Sequence, residues 1–241
     1  MLKLYQFPIS HFCEKIRWAL EFKNIDYEVK NLLPGLHVLK TKKLSPQTSV
    51  PILTHEGKAI QGSSEIISYL DKTFLTPSLT PIEIQARKEV LEWEEYIDRE
   101  IGVNARLCCY HILLEYPDIV IPFFTQNGPW YWKPFLAVMF PKLKTKMTHR
   151  MKLNDVSAKK AKQDLRIAVD RLYSHYQEHE FLAGNQFTRA DLTAAALIAP
   201  LCKPEKYGLN WPDKFPEKME ELITEFSGKT KWVLDFYEKY R

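Results

Sequence analysis

The chain has 241 residues, room for one large domain or two modest ones, and 45% hydrophobic with 13% aromatic residues is ample for a packed core. The 34 Lys and Arg against 30 Asp and Glu leave a net charge of +4, too small an excess to argue for nucleic acid, and the apolar runs fall far short of a membrane span. The four cysteines (Cys13, Cys108, Cys109 and Cys202) show neither metal-ligand spacing nor a disulfide framework, and the first residues read as a strand rather than a leader, so the expectation is a cytoplasmic, reducing compartment and no metal.

In chain order, Leu2–Phe7 reads as a strand and Phe12–Lys23 as an amphipathic helix with Phe12, Ile16 and Leu20 on one face. Tyr27–Leu32 is a second strand, and Leu36–Leu44 is either a short helix or an ordered loop. Pro51–Thr54 and Ala59-Ile60 flank His55-Glu56-Gly57-Lys58, a hairpin signal with glycine at the tip. Ser63–Phe74 follows as a helix with Ile66, Ile67, Leu70 and Phe74 facing inward. Thr76-Pro77-Ser78-Leu79-Thr80-Pro81 is the clearest linker, and strand signals nearly vanish beyond it. One helical stripe runs through Ile97, Ile101, Ala105 and Cys108, and another through Ala158, Ala161, Leu165, Ala168, Leu172 and Tyr176. A third, Leu192, Ala195, Ala196 and Ala199, follows Thr188, whose hydroxyl with Asp191 three residues on can cap that helix reciprocally. The fold expected is α/β plus all-α: residues 1–75, a linker over 76–81, and an all-helical unit over 82–241.

Ser10-His11-Phe12-Cys13 is the most informative stretch. A strand, a tight turn and a serine at a helix start set free N–H groups and the positive end of a helix dipole beside one hydroxyl, which favours an anion. Ser10 taken alone is more often just a cap. Two further patterns stand beside it: Leu44-Ser45-Pro46-Gln47-Thr48-Ser49-Val50-Pro51-Ile52-Leu53, and Gln61-Gly62-Ser63-Ser64-Glu65-Ile66-Ile67-Ser68-Tyr69-Leu70.

In this order, with the Pro-rich linker and Phe181-Leu182-Ala183-Gly184 ahead of Thr188-Arg189-Ala190-Asp191, these patterns resemble the soluble glutathione S-transferase family over essentially the whole chain. The resemblance implies a thioredoxin-like N-terminal domain, a helical C-terminal domain, a cis bond at Pro51, and a homodimer. Ser10 then stands where a redox thioredoxin-like protein carries its first cysteine, as a residue that holds another molecule's thiolate. Glutathione becomes the co-substrate. His11 and Phe12 are glutathione-binding residues beside the site, His11 being equally readable as a partly exposed turn residue; Val50 ahead of Pro51 pairs with the tripeptide backbone, and Ser63 and Ser64 open a helix toward the γ-glutamyl carboxylate. Free thiols titrate near ~8.5, and holding one about two pH units lower takes roughly 2.7 kcal/mol, within what one hydroxyl donor and a helix N-terminus supply. The partner substrate is a largely apolar electrophile between the domains, walled by Ile101–Tyr110 and the aromatic stretch Phe123–Phe140. Gly62 departs from the family pattern, which has an acidic residue there, so one contact to the glutathione amino group is missing from that position.

Other readings compete. Cys13 is a redox thiol in the manner of thiol-transfer relatives, or a core residue one turn inside the helix; Tyr5 is a hydroxyl donor, or strand packing. Trp130-Tyr131-Trp132 followed by Lys142, Lys144, Lys146, Arg150 and Lys152 is a membrane-surface element, or a pocket wall and a solvated helix face, the second being favoured. The whole chain is also open to a non-catalytic role that keeps the fold and binds ligands or a partner chain.

Overall fold

Strand β1 (Leu2–Gln6) is central in a four-stranded sheet and contributes Leu2, Leu4 and Tyr5 to the interior. The computed structural model describes every residue from Met1 to Arg241. Helix α1 (His11–Phe22) crosses over to β2 (Tyr27–Asn31), which pairs with β1 in parallel, Leu4 opposite Val29. The segment that read as helix or loop is helix α2 (His37–Leu44). Strands β3 (Ile52–His55) and β4 (Lys58–Gln61) form the hairpin, turning through Glu56 and Gly57 at positive φ, and β3 pairs antiparallel with β1 for a strand order β2-β1-β3-β4. Helix α3 (Ser63–Thr73) buries Ile66, Ile67 and Leu70. This is the thioredoxin-like sheet with its helices, and a helical domain follows it.

Helix α4 (Ile84–Ile97) runs through a π-helical turn (Asp98–Gly102) into α5 (Val103–Leu113). The stripe Ile97, Ile101, Ala105 and Cys108 is buried along this run. Then come α6 (Pro117–Thr125), α7 (Trp132–Met151) and α8 (Asp155–Glu178). Helix α9 (Arg189–Ile198) starts at the expected cap: Thr188 and Asp191 form a reciprocal capping box, and Asp191 also accepts from Leu182 N at 2.8 Å and Tyr176 Oη at 3.0 Å. Helices α10 (Glu217–Ser227) and α11 (Lys231–Tyr240) complete the chain.

Two helices depart from the amphipathic pattern read from their sequences. In α1, Cys13 through Leu20 are all buried, including Glu14, Lys15 and Arg17; in α9 every residue is buried. The reason is that α1 and α9 pack against each other between the domains, so each is covered on all sides. Alanines 190, 194, 195 and 196 allow the close approach, and the buried charges are paired rather than solvated. Lys15 Nζ lies 2.8 Å from Glu94 and 2.9 Å from Asp98, and Arg189 Nη2 lies 2.7 Å from the other Glu94 oxygen. Arg17 pairs with Glu14 at 2.7 Å, and Arg241 returns to Glu14 at 3.0 Å.

Candidate functional site

Ser10 ends the turn after β1 in extended backbone (φ −75°, ψ 118°) and caps α1. Its carbonyl accepts from Cys13 N and Glu14 N at 2.9 Å each, while its hydroxyl accepts only a long 3.4 Å bond from Cys13 N. That leaves the hydroxyl proton without an acceptor in the chain, and the N–H groups of His11 and Phe12 equally free. Cys13 is fully buried and borders neither cavity described below; burial, only partly opposed by its bond with Ser10, pushes its thiol pKa up. A buried protonated thiol is a poor nucleophile, which weighs against the redox reading. Tyr5 is likewise buried and borders neither cavity described below.

His11 is buried with Nε2 3.0 Å from the Gly102 carbonyl. A carbonyl only accepts, so Nε2 carries the ring proton. Burial, reinforced by the charge of Arg106, pulls the pKa of His11 down to about 3, so the ring is neutral and too weak a base to activate Ser10. The contact depends on the π-helical turn. At Gly102 a Cβ would lie 2.6 Å from the Phe12 ring and 2.8 Å from Leu197, so only glycine lets this turn press against the start of α1. Nothing in the local spacing had singled out Gly102.

The Val50-Pro51 bond is cis, as is Thr76-Pro77. Neither the N–H nor the C=O of Val50 makes a hydrogen bond within the chain. Gln61 Nε2 steadies the loop by donating to Ser49 O at 2.7 Å, and Pro51 O accepts from Gly62 N at 3.2 Å. That last bond sets the start of α3 next to the Val50 loop. There the N–H groups of Ser63, Ser64 and Glu65 have no acceptor, and the Ser63 hydroxyl is unengaged. The Ser64 hydroxyl points the other way. It donates to Asp98 at 2.9 Å and accepts from Lys15 at 3.3 Å, so it belongs to the buried charge cluster between the domains. Gly62 sits at φ 100°, and a Cβ there would lie 2.1 Å from Glu65 Oε2. The Glu65 carboxylate therefore fills the space beside position 62; the signal in the sequence was an acid three residues into a helix that starts after glycine.

Two cavities meet at Ser10, Arg106 and Tyr110. The larger, about 500 Å³, lies between the domains and is bordered by Phe12 and Val50. Arg106, Lys146, Arg150 and His37 also line it, and no carboxylate does. Burial, with the charges of Arg150 and Lys146, pulls His37 down to about 4. The smaller, about 50 Å³, is an apolar pocket walled by Leu113, Phe123, Trp211, Phe215 and Met219 beside Ser10 and His11. This corrects the expected aromatic wall. Of Phe123–Phe140 only Phe123 lines either of these two cavities; Trp130 and Tyr131, just ahead of α7, and Phe135 within it are 85%, 53% and 41% exposed. The expected wall Ile101–Tyr110 does contribute, through Val103, Arg106, Leu107, Cys109 and Tyr110. Ser10, Phe12 and Val50 thus share the cleft and His11 borders the apolar pocket, whereas Pro51, Ser63 and Ser64 border neither cavity.

Residues 4–78 match the glutathione S-transferase N-terminal domain family. A probable glutathione S-transferase of Nicotiana tabacum is 31% identical over 102 residues, 42% of this chain and 46% of that protein, so the chain spans about half the length of that relative. Glutathione S-transferase TCHQD of Arabidopsis thaliana is 27% identical over 214 residues, with 83% of this chain and 77% of that one aligned. Among solved structures, a glutathione S-transferase from Rhodospirillum rubrum F11 superposes on 100% of this chain and 93% of its own with a TM-score of 0.62 at 18% identity. Residues 4–78 thus carry the sequence of a glutathione S-transferase N-terminal domain, and over its whole length the chain has the fold of solved glutathione S-transferases.

Proposed function

We propose that the chain is a glutathione transferase that lays the tripeptide along Val50 and the start of α3 and presents its sulfur to Ser10. What supports this reading is one observation: unsatisfied hydrogen-bonding groups occur where a thiolate peptide needs them. The Ser10 hydroxyl and the His11 and Phe12 N–H groups suit a thiolate. The free N–H and C=O of Val50 suit a peptide backbone, and the free N–H groups of residues 63–65 suit a carboxylate. The Glu65 carboxylate answers the missing acid at position 62 and would meet the γ-glutamyl ammonium. Ser64 contributes its N–H only, its hydroxyl being held by Asp98 and Lys15.

In the reaction the glutathione thiol loses its proton to water and the sulfur keeps the electron pair, stabilised by the Ser10 hydroxyl. That pair forms a carbon–sulfur bond to the electrophile, and the leaving group departs with the pair of the bond that breaks. Ser10 is a hydrogen-bond donor throughout and forms no covalent bond. The test is calorimetric titration with glutathione, with ultraviolet difference spectra to detect bound thiolate. Millimolar-or-tighter binding with a thiolate band at neutral pH is expected, and Ser10→Ala should abolish the band and lower kcat/KM about 100-fold, the cost of one lost anion donor. Absence of binding at millimolar glutathione would favour the non-catalytic reading instead.

A further inference from the structure

Arg106 is the one charged side chain that borders the apolar pocket, and it borders the cleft as well. Its guanidinium lies over the Phe12 ring, 5.9 Å from the centroid, and no carboxylate of the chain pairs with it. Tyr110 is its only favourable charge neighbour, and burial pushes that phenol up, so Tyr110 stays neutral and leaves the cation uncompensated. The other cations of the cleft differ. Arg150 donates to Thr48 at 3.2 Å, and Arg150 and Lys146 act on His37; all of these line the cleft with Ser49 and Val50 and none reaches the apolar pocket. Positive charge is therefore split between the tripeptide side and the electrophile side. Arg106 is exposed on the cleft wall with no carboxylate beside it, so water solvates the guanidinium until an anion in the cleft takes that water's place.

We propose that the electrophile this site accepts is an amphipathic anion, an apolar body carrying a carboxylate that Arg106 binds while the reacting carbon faces Ser10. The inference rests on the glutathione reading and names its second substrate. The 50 Å³ pocket takes one small apolar group, and the rest of the molecule lies in the cleft. The planar fork of arginine matches a carboxylate with two parallel hydrogen bonds. In the conjugation the sulfur–carbon bond forms and the leaving group leaves with its pair, while the carboxylate and the protonated guanidinium are unchanged.

The experiment compares chlorodinitrobenzene with its ring-carboxylated analogue, chlorodinitrobenzoate, each rate divided by its uncatalysed rate. The normalised kcat/KM should favour the benzoate by about ten-fold or more, in line with a charge-assisted bidentate bond. Arg106→Gln should bring the ratio to about one, and Arg106→Lys should retain part of the preference because the charge remains but the fork is lost. An equal ratio in wild type and Arg106→Gln would overturn the proposal, and so would loss of glutathione affinity in Arg106→Gln with the ratio intact, since Arg106 would then serve the tripeptide. Calorimetric binding of unreactive dinitrobenzoate and dinitrobenzene without glutathione keeps the two readings apart. An Arg106-dependent preference for the benzoate in a protein that binds no glutathione would remove the transferase reading and leave the anion subsite standing. No such preference in a protein that binds glutathione would remove only the anion subsite.

Discussion

Helix α1 lies between two sets of cations that fare very differently. On its buried flank Lys15, Lys23 and Arg189 lie 2.7–2.9 Å from Glu94, Asp98 or Asp71, with cation side chains at most 2% exposed. On the flank that faces the cleft, Arg106, Lys146 and Arg150 line a cavity that no carboxylate enters. Of the first set, Lys15 ties the two domains together through Glu94 and Asp98, while Lys23–Asp71 and Arg189–Glu94 each close within one domain; every charge has its counter-charge in the fold. The second set is exposed and solvated by water, which a bound anion can replace. The same side-chain chemistry is structural where it is buried and paired, and open to a ligand where it is exposed and has no carboxylate beside it.

The strongest way to break this comparison is Glu94→Ala, which strands Lys15 and Arg189 in the interior. It should cost about 3–5 kcal/mol of unfolding free energy in urea titration. A loss below ~1 kcal/mol would mean the cluster readily finds other partners and is not a fixed staple.

A pH series sharpens the opposite side. His11 has a folded pKa of about 3 against an ordinary 6.5. Between those values the unfolded chain takes up a proton that the folded chain refuses. Stability from this group is therefore full above pH 6.5 and declines as pH falls toward 3. From pH 7 to pH 5 the contribution lost is about 2 kcal/mol. The difference in acid sensitivity between wild type and His11→Gln, measured by denaturant midpoints, should show it; parallel pH profiles would mean that His11 titrates alike in the folded and unfolded chain.

Next in size is the stability of Ser10→Ala. Losing the cap of α1 should cost about 1 kcal/mol in thermal or urea unfolding, far less than its effect on catalysis. A loss of several kcal/mol would make Ser10 chiefly a structural residue. The smallest effect is expected from Arg106→Gln, where no internal partner is lost. Its stability should stay within about 0.5 kcal/mol of wild type, and a loss as large as that of Glu94→Ala would erase the distinction drawn above.

Much of the site was legible because its signals are local. A serine between a strand and a helix, a Val-Pro pair before a strand, and a glycine-serine helix start each state their backbone geometry within a few residues. The misreadings have a common source. Phe123–Phe140 carries the aromatic content of a pocket wall, yet the turn ahead of α7 leaves Trp130 and Tyr131 in solvent. Ser64 has the right address for a ligand, but its hydroxyl is claimed by Asp98, 34 residues away. Gly102, Glu65 and Arg106 escaped notice because glycine, glutamate and arginine in helices are ordinary until their neighbours are known.

By itself, then, the sequence determined the strand–helix alternation of the first half, the helical second half, the caps at Ser10 and Thr188, and the family resemblance. Hydrophobic period, capping and proline act over a few residues and need no distant partner. Only the tertiary structure decided which charges are neutralised. Lys15 meets Asp98 across 83 residues and Arg189 meets Ser68 across 121. Whether a cation is a staple or a ligand site depends on what stands within about 4 Å of it, because beyond that distance water and burial, not residue type, set the strength of its interactions.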